Sequence, residues 1–212
     1  MCFSATASFI AGGALSATGA VTLSKAKSKK EIPFAAIPLL FGVQQTIEGV
    51  IWLSFGSASL NAVMTYAYSL FSHVLWPIFL PISVFVMETD PAHRKILRGF
   101  IAVGLLTGLY LLYSIIVEPV TSSIVNHSIA YGSPHLYPTV SLILYLFATC
   151  GSCFVSSHRI VRILGAAIFV AFLVAGWFYT ETFFSVWCFF AAILSVIVFA
   201  QIRTGTGHTV TP

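Results

Sequence analysis

The 212-residue chain is 58% hydrophobic and only 8% charged, against roughly 25% charged in an average soluble domain. A water-soluble globule is excluded, because its surface needs far more polar residues, whereas a lipid-facing surface needs them only at its ends and at functional sites. The basic excess (Lys plus Arg 10, Asp plus Glu 6) sits in short segments between apolar stretches, so it reads as membrane topology and not as a nucleic-acid patch.

A helical crossing needs about 20 mostly apolar residues. Seven stretches qualify, at about 3–23, 33–55, 61–87, 98–117, 137–156, 160–179 and 182–202. The expected fold is all-α: one domain over 1–212, an integral membrane bundle of seven transmembrane helices. No base precedes Lys25, so the opening lacks the basic start of a signal peptide and the first helix is expected to stay in the mature protein. That helix carries Ser4, Ser8, Gly12 and Ser16 at four-residue spacing, a small-residue stripe that suits close packing against a neighbour. Cys2 stands at its outer end. With Met1 removed, Cys2 would present an amine beside a thiol, a pair suited to chelating a metal or to nucleophilic attack.

The second helix contains Pro38, expected to kink its inner end, and the stripe Gln44, Glu48, Trp52. The third carries Tyr66, Ser69, His73 and Trp76 in three- and four-residue steps, followed by Pro77 and Pro81, each of which removes an amide donor and should bend the helix. Tyr113 lies in the outer part of the fourth helix. The only long linker, 118–136, holds Asn126, His127, Tyr131, Pro134 and His135. A linker of that length is a lid or loosely ordered, and His127 and His135 are candidates to dip into an outward-facing cavity. The fifth helix has Cys150 and Cys153 in a C-G-S-C without basic neighbours, which leaves the thiols protonated and inert. Glu181, Ser185, Trp187 and Cys188 fall in the first turns of the seventh.

Orientation follows from the bases. Lys25, Lys27, Lys29 and Lys30 follow the first helix, Arg94, Lys95 and Arg98 the third, Arg159 and Arg162 the fifth, and Arg203 the seventh. All fall on one side, so the positive-inside rule puts the N-terminus outside and the C-terminus in the cytoplasm of a cell whose inner (plasma) membrane holds the chain. His93, His158 and His208 accompany these basic segments and read as solvated.

An ionisable group deep in hydrocarbon costs about 2.5 to 3.5 kcal/mol on insertion scales, so it needs a partner or a purpose. Glu48, roughly 10 Å from the outer end of its helix, and His73 are the two clear cases, and the short turn between their helices predicts that they approach each other. The bland reading is a buried hydrogen bond that fixes packing. The functional one makes Glu48 an acid, base or ligand. A retinal Schiff base on the seventh helix is excluded, since no Lys follows Lys95. There is likewise no phosphate-binding G-x-x-x-x-G-K-[ST] loop, no H-E-x-x-H and no G-x-S-x-G.

The opening MCFSATASF, with FGVQQTIEGVIWL at 41–53, HVLWPIFLP at 73–81 and SVWCFFAA at 185–192, resembles a family of bacterial multipass membrane proteins of unknown function, over most of the chain. The resemblance implies no activity. It implies that Cys2, Ser4, Glu48, His73, Trp76, Trp187 and Cys188 lie in the family's recognisable segments. The seven-helix zinc hydrolases of the alkaline ceramidase type are a poorer comparison, because their paired histidines on the last helix are missing here.

Three functions are expected to compete. One is a metal-dependent, membrane-embedded hydrolase of a lipid or amphipathic substrate, with Cys2, Glu48, His73, His127 and Cys188 as ligands to zinc or another transition metal, and Glu48 and His73 as catalytic groups. The second is a sensor or carrier whose outer cavity, lined by Ser4, Gln44, Trp52, Tyr66, Ser69, Trp76, Tyr113, Ser185 and Trp187, takes a small apolar or amphipathic ligand. The third is a transporter in which Glu48 and His73 titrate. In each the lipid bilayer is the partner and nucleic acid is not.

Overall fold

The computed structural model describes residues 4–132, 137–178 and 182–204. Its helices are α1 (Ala5–Lys25), α2 (Ile32–Ser54), α3 (Ala58–Met87), α4 (Pro91–Val117), α5 (Pro138–Phe154), α6 (Arg159–Phe178) and α7 (Phe183–Thr204). Six are long and apolar enough to cross a membrane, and α5 is apolar but shorter. By that length and composition the chain is a multipass membrane protein. Large apolar side chains point outward, among them Ile10, Leu106 and Ile116, each more than two-thirds exposed.

The small-residue stripe of α1 is a helix contact. A Cβ on Gly12 would lie 2.6 Å from Thr46 Oγ1, and one on Gly42 would lie 2.5 Å from Ser16 Oγ, so the two backbones touch only because neither position carries a side chain. Ser4 is exposed and caps α1, its hydroxyl accepting from the Ala7 amide at 3.2 Å, a usual N-cap role. The expected kink of α2 is a break at Ala36, after which Pro38 restarts the helix in its first turn, where a missing amide is tolerated.

The bend of α3 takes a different form from a simple proline kink. Residues Leu70–Leu75 form a π-helical turn ahead of Pro77, and the amide of Trp76 reaches back to Phe71 O. Pro81 has no amide to offer the carbonyl of Pro77. Gly104 of α4 lies directly against that oxygen, where a Cβ would clash. The start of α4, expected near 98, is at Pro91, because Asp90 accepts the amides of Ala92 (2.7 Å) and His93 (3.0 Å) and Pro91 suits the first turn.

The long linker corrects the all-α expectation. β1 (Thr121–Val125) pairs antiparallel with β2 (Ser128–Gly132). Asn126 (φ 48°) and His127 (φ 58°) form the turn, both in the left-handed region that a two-residue hairpin loop requires. Ser122 ties the hairpin to the start of α3: its hydroxyl accepts from Thr65 Oγ1 at 2.9 Å and donates to Asn61 Oδ1 at 3.0 Å. Beneath it, Ile129 is fully buried against Ile51 and Tyr68. A larger apolar core runs through the rest of the bundle, centred on Phe41, Trp76, Leu80, Phe100, Leu164 and Trp187.

Candidate functional site at the hairpin end of the bundle

Glu48 of α2 is fully buried. Its Oε1 accepts a hydrogen bond from Ser185 Oγ of α7 at 2.5 Å and a longer one from Tyr131 Oη of β2 at 3.4 Å. Two donors separated from it by 137 and 83 residues therefore converge on one carboxylate oxygen. Tyr131 is held by stacking on Tyr68 of α3, centroids 4.3 Å apart and planes 4° from parallel. One turn toward the basic end, Gln44 is also fully buried and accepts from Trp76 Nε1 at 2.7 Å, while Trp76 stacks on Phe41 at 3.9 Å. The buried Cys188 thiol lies within interaction range of Gln44, Tyr68 and Glu48.

His73 sits in the π-helical turn of α3 with 2% of its surface exposed. Such turns re-aim side chains and recur at functional positions. Its Nδ1 pairs with Ser72 Oγ at 2.8 Å, and its ring lies against Phe184 at 4.7 Å. The Ser72 carbonyl accepts from Tyr145 Oη of α5 at 2.7 Å. His73, Tyr131, Ser141, Tyr145, Phe183 and Phe184 border a cavity of about 370 Å³ between the hairpin and the ends of α4, α5 and α7 next to it. Its lining combines aromatic rings with Leu111, Pro138 and Leu142, and is polar at His73, Tyr131, Thr139 and Ser141. Through the Tyr131 hydroxyl it connects to Glu48.

The expected stripes thus meet in part. Glu48, Gln44, Trp76, Ser185 and Cys188 gather in one buried cluster, with Ser69 fully buried on α3. The other candidates lie elsewhere. His127 is exposed at the tip of the hairpin, because the turn geometry points it away from the bundle. Tyr113 is 61% exposed on the outer surface of α4, and Tyr66 uses its hydroxyl to accept the Val120 amide at 3.4 Å. Trp52 packs against the Ile51, Tyr68 and Ile129 cluster. Trp187, expected to line the outer cavity, is buried, stacks with Phe183 at 5.5 Å and borders a separate apolar cavity. Cys150 and Cys153 are buried in the basic-side half of α5. Cys2, His135 and Glu181 lie outside the described residues. Among the described residues, no three His, Cys, Asp or Glu side chains are grouped closely enough to hold a metal ion.

Sequence reasoning overlooked Tyr131, Tyr68 and Tyr145 as site residues. Tyr145 had a signal, since it follows Ser141 by one helical turn on an otherwise apolar helix and both are buried. Tyr131 had none, because its strand was hidden in a linker read as irregular.

A protein-family model matches residues 1–210, and it describes a family of unknown function (DUF6629). No curated protein and no solved structure matches the chain.

Proposed function

We propose, for a chain that belongs to the family of unknown function DUF6629, a seven-span protein of the plasma membrane that binds an amphipathic small molecule in its outer half. The orientation rests on the bases. Lys25 to Lys30, Arg94 to Arg98, Arg159, Arg162 and Arg203 all follow alternate helix ends, which puts the N-terminus outside and the C-terminus in the cytoplasm. Counting α5 as the seventh span is consistent with its length, because 17 residues rise about 25 Å, short of the ~30 Å hydrocarbon by an amount that local thinning absorbs.

The single observation that carries the binding reading is the contact of Tyr131 with Glu48 at the edge of the aromatic cavity. An apolar cavity with a few convergent polar groups at one end suits a molecule with a hydrophobic body and one hydrogen-bonding head. His73 and Tyr131 are the groups such a head would meet first. Glu48 and Ser185 set the orientation of the Tyr131 hydroxyl. Ordering the hairpin over the site gives a ligand a way to be sensed outside the membrane, since β2 carries both Tyr131 and the buried Ile129.

Support for a zinc-dependent hydrolase is weaker. Of its expected ligands, His127 stands on the exposed hairpin tip, and the remaining described ones do not form a three-ligand group. Extraction of protein purified in mild detergent, followed by mass spectrometry, is expected to release an amphipathic molecule that is depleted in Glu48→Gln and in the cavity-filling Ser141→Phe. Identical extracts from wild type and both variants overturn binding at this cavity. About one equivalent of a transition metal that disappears in Glu48→Gln would instead favour the hydrolase.

A further inference from the structure

The basic end of the bundle carries a second cleft, unrelated to the cavity around His73 and Tyr131. It lies between the first turn of α6, the last turn of α7 and the α3–α4 connection, and includes Arg159, Arg162, His158, Gln201, Thr204 and Asp90. Arg159 and Arg162 are exposed and three residues apart, so both guanidinium groups flank the same side of the N-terminus of a 20-residue helix. That terminus adds partial positive charge and unpaired amides. Asp90, the carboxylate of the cleft, is engaged in capping α4 and pairs with His93 Nδ1 at 3.1 Å. It offsets little of the charge presented by the two arginines.

Gln201 supplies the independent observation. It is 5% exposed, lines the cleft, and has no hydrogen-bond partner among the described residues. The side chain is nearly buried while its amide faces the open cleft, which places a hydrogen-bonding group beside the two guanidinium groups where a polar occupant would sit. Arg162 is fixed in place, its Nη1 donating to Ser156 O at 3.1 Å and Ser157 O at 3.3 Å, which leaves the rest of its fork to face outward.

The cleft continues into an apolar groove. Ile163 borders both the cleft and a trough of about 540 Å³ that runs between α6 and α7 over Ala167, Val170, Val174, Phe190 and Ile193. Small residues on α6 keep the trough open. From Ile163 to Val174 the helix rises roughly 16 Å, about half of a ~30 Å hydrocarbon and so the depth of one leaflet. A cationic mouth with an amide facing it, continuous with a groove one leaflet deep, matches a phosphate-bearing headgroup joined to an acyl chain.

We infer that this cleft and groove form a specific site for an anionic phospholipid of the basic-side leaflet. Its phosphate oxygens accept from Arg159, Arg162 and Gln201, and one acyl chain lies along the trough. Guanidinium forks fit phosphate oxygens in a bidentate manner that a point charge does not.

The test uses the whole chain purified in detergent and read by native mass spectrometry, titrated separately with dioleoylphosphatidylglycerol, dioleoylphosphatidylcholine and inorganic phosphate. Wild type is expected to retain one phosphatidylglycerol in preference to phosphatidylcholine. Two variants should each weaken that retention by about tenfold, as expected for the loss of one charge-assisted contact or of chain packing: the pair Arg159→Gln with Gln201→Leu at the mouth, and Ala167→Trp in the groove. Lys29→Gln, in the separate α1–α2 basic connection, should leave retention unchanged. Equal weakening by Lys29→Gln means diffuse surface attraction and overturns the site. Unchanged retention in the mouth and groove variants does the same. Binding of inorganic phosphate that the mouth variant abolishes, without retention of phosphatidylglycerol, overturns the lipid as occupant.

Discussion

Two buried glutamates, Glu48 in the half beneath the hairpin and Glu88 at the basic end, have the same side chain and opposite surroundings. Glu88 is 1% exposed, and its two oxygens accept the amides of Thr89 (2.9 Å), Asp90 (3.0 Å) and Ser157 (2.8 Å) as well as the hydroxyls of Ser157 (2.6 Å) and Ser156 (3.3 Å). Most of these donors belong to the backbone of two connections, so Glu88 clamps the α3–α4 turn to the α5–α6 turn. Arg94 completes the clamp, donating to Phe85 O and Glu88 O at 2.9 Å each while stacking 4.0 Å over the Phe85 ring. Glu48 Oε1, in contrast, accepts from side-chain hydroxyls of α7 and the hairpin, and one of them borders a cavity. A carboxylate fixed by backbone donors is structural. One met by rotatable hydroxyls at a cavity edge can exchange a partner for a ligand.

The largest effect that would separate the two is at Glu88. Glu88→Ala strands several buried donors at once and is expected to destabilise by about 3 kcal/mol, read as the shift of the thermal unfolding midpoint in detergent. A loss comparable to that of an exposed surface substitution would refute the clamp.

Acid should strike the same place. Burial pushes the Glu88 carboxyl up, but the hydrogen bonds from the Ser157 hydroxyl and amide and from the Asp90 and Thr89 amides outweigh it, so its pKa lies below the ordinary 4.5. Asp90 is lowered in the same direction by the His93 amide and side chain and the Ala92 amide. A depressed folded-state value means that the stabilisation is fully present above the ordinary value and is lost as pH falls through the lower one. Unfolding midpoints measured from pH 7 downward should therefore fall in the acid range, and Glu88→Gln should shrink that fall while leaving the part that belongs to Asp90.

At the other carboxylate the stability change should be smaller than the change in binding. Glu48→Gln keeps an acceptor for Ser185 and is expected to cost under about 1 kcal/mol, while reducing the co-purifying ligand severalfold; a stability loss as large as that of Glu88→Ala would make Glu48 a clamp as well. Smallest of all, Tyr131→Phe removes one long hydrogen bond and should cost about 0.5 kcal/mol. Its readout is faster hydrogen exchange in 121–132, because the hairpin loses a tether to α2, and unchanged exchange would show that the contact does not hold the hairpin.

The site beneath the hairpin was legible to different depths. Glu48 and His73 were visible because charged or titratable side chains in apolar runs are rare, and Gln44 and Ser185 because they share helical periodicity with such groups. Glu88 was not, since it stands next to Asp90 in a polar connection where an acidic residue attracts no notice; only the fold shows that the connection is buried. His127 was equally hard to place. A histidine in a linker of unknown shape can be imagined reaching inward, whereas here it is exposed in the two-residue turn of the hairpin.

What the amino-acid order determined by itself is the set of apolar helices, because the cost of exposing polar backbone to hydrocarbon makes length and composition sufficient. The break at Ala36 ahead of Pro38 belongs to the same class, since a missing amide is a local property. Only the tertiary structure decided which groups meet. Ser185 and Tyr131 reach Glu48 across 137 and 83 residues, and contacts at such separation depend on how helices rotate and pack against one another, which no local periodicity records. The hairpin belongs there too, as its strands gain their stability from burying Ile129 against α2 and α3 and from Ser122 pairing with Thr65 and Asn61, partners that the linker's own composition does not reveal.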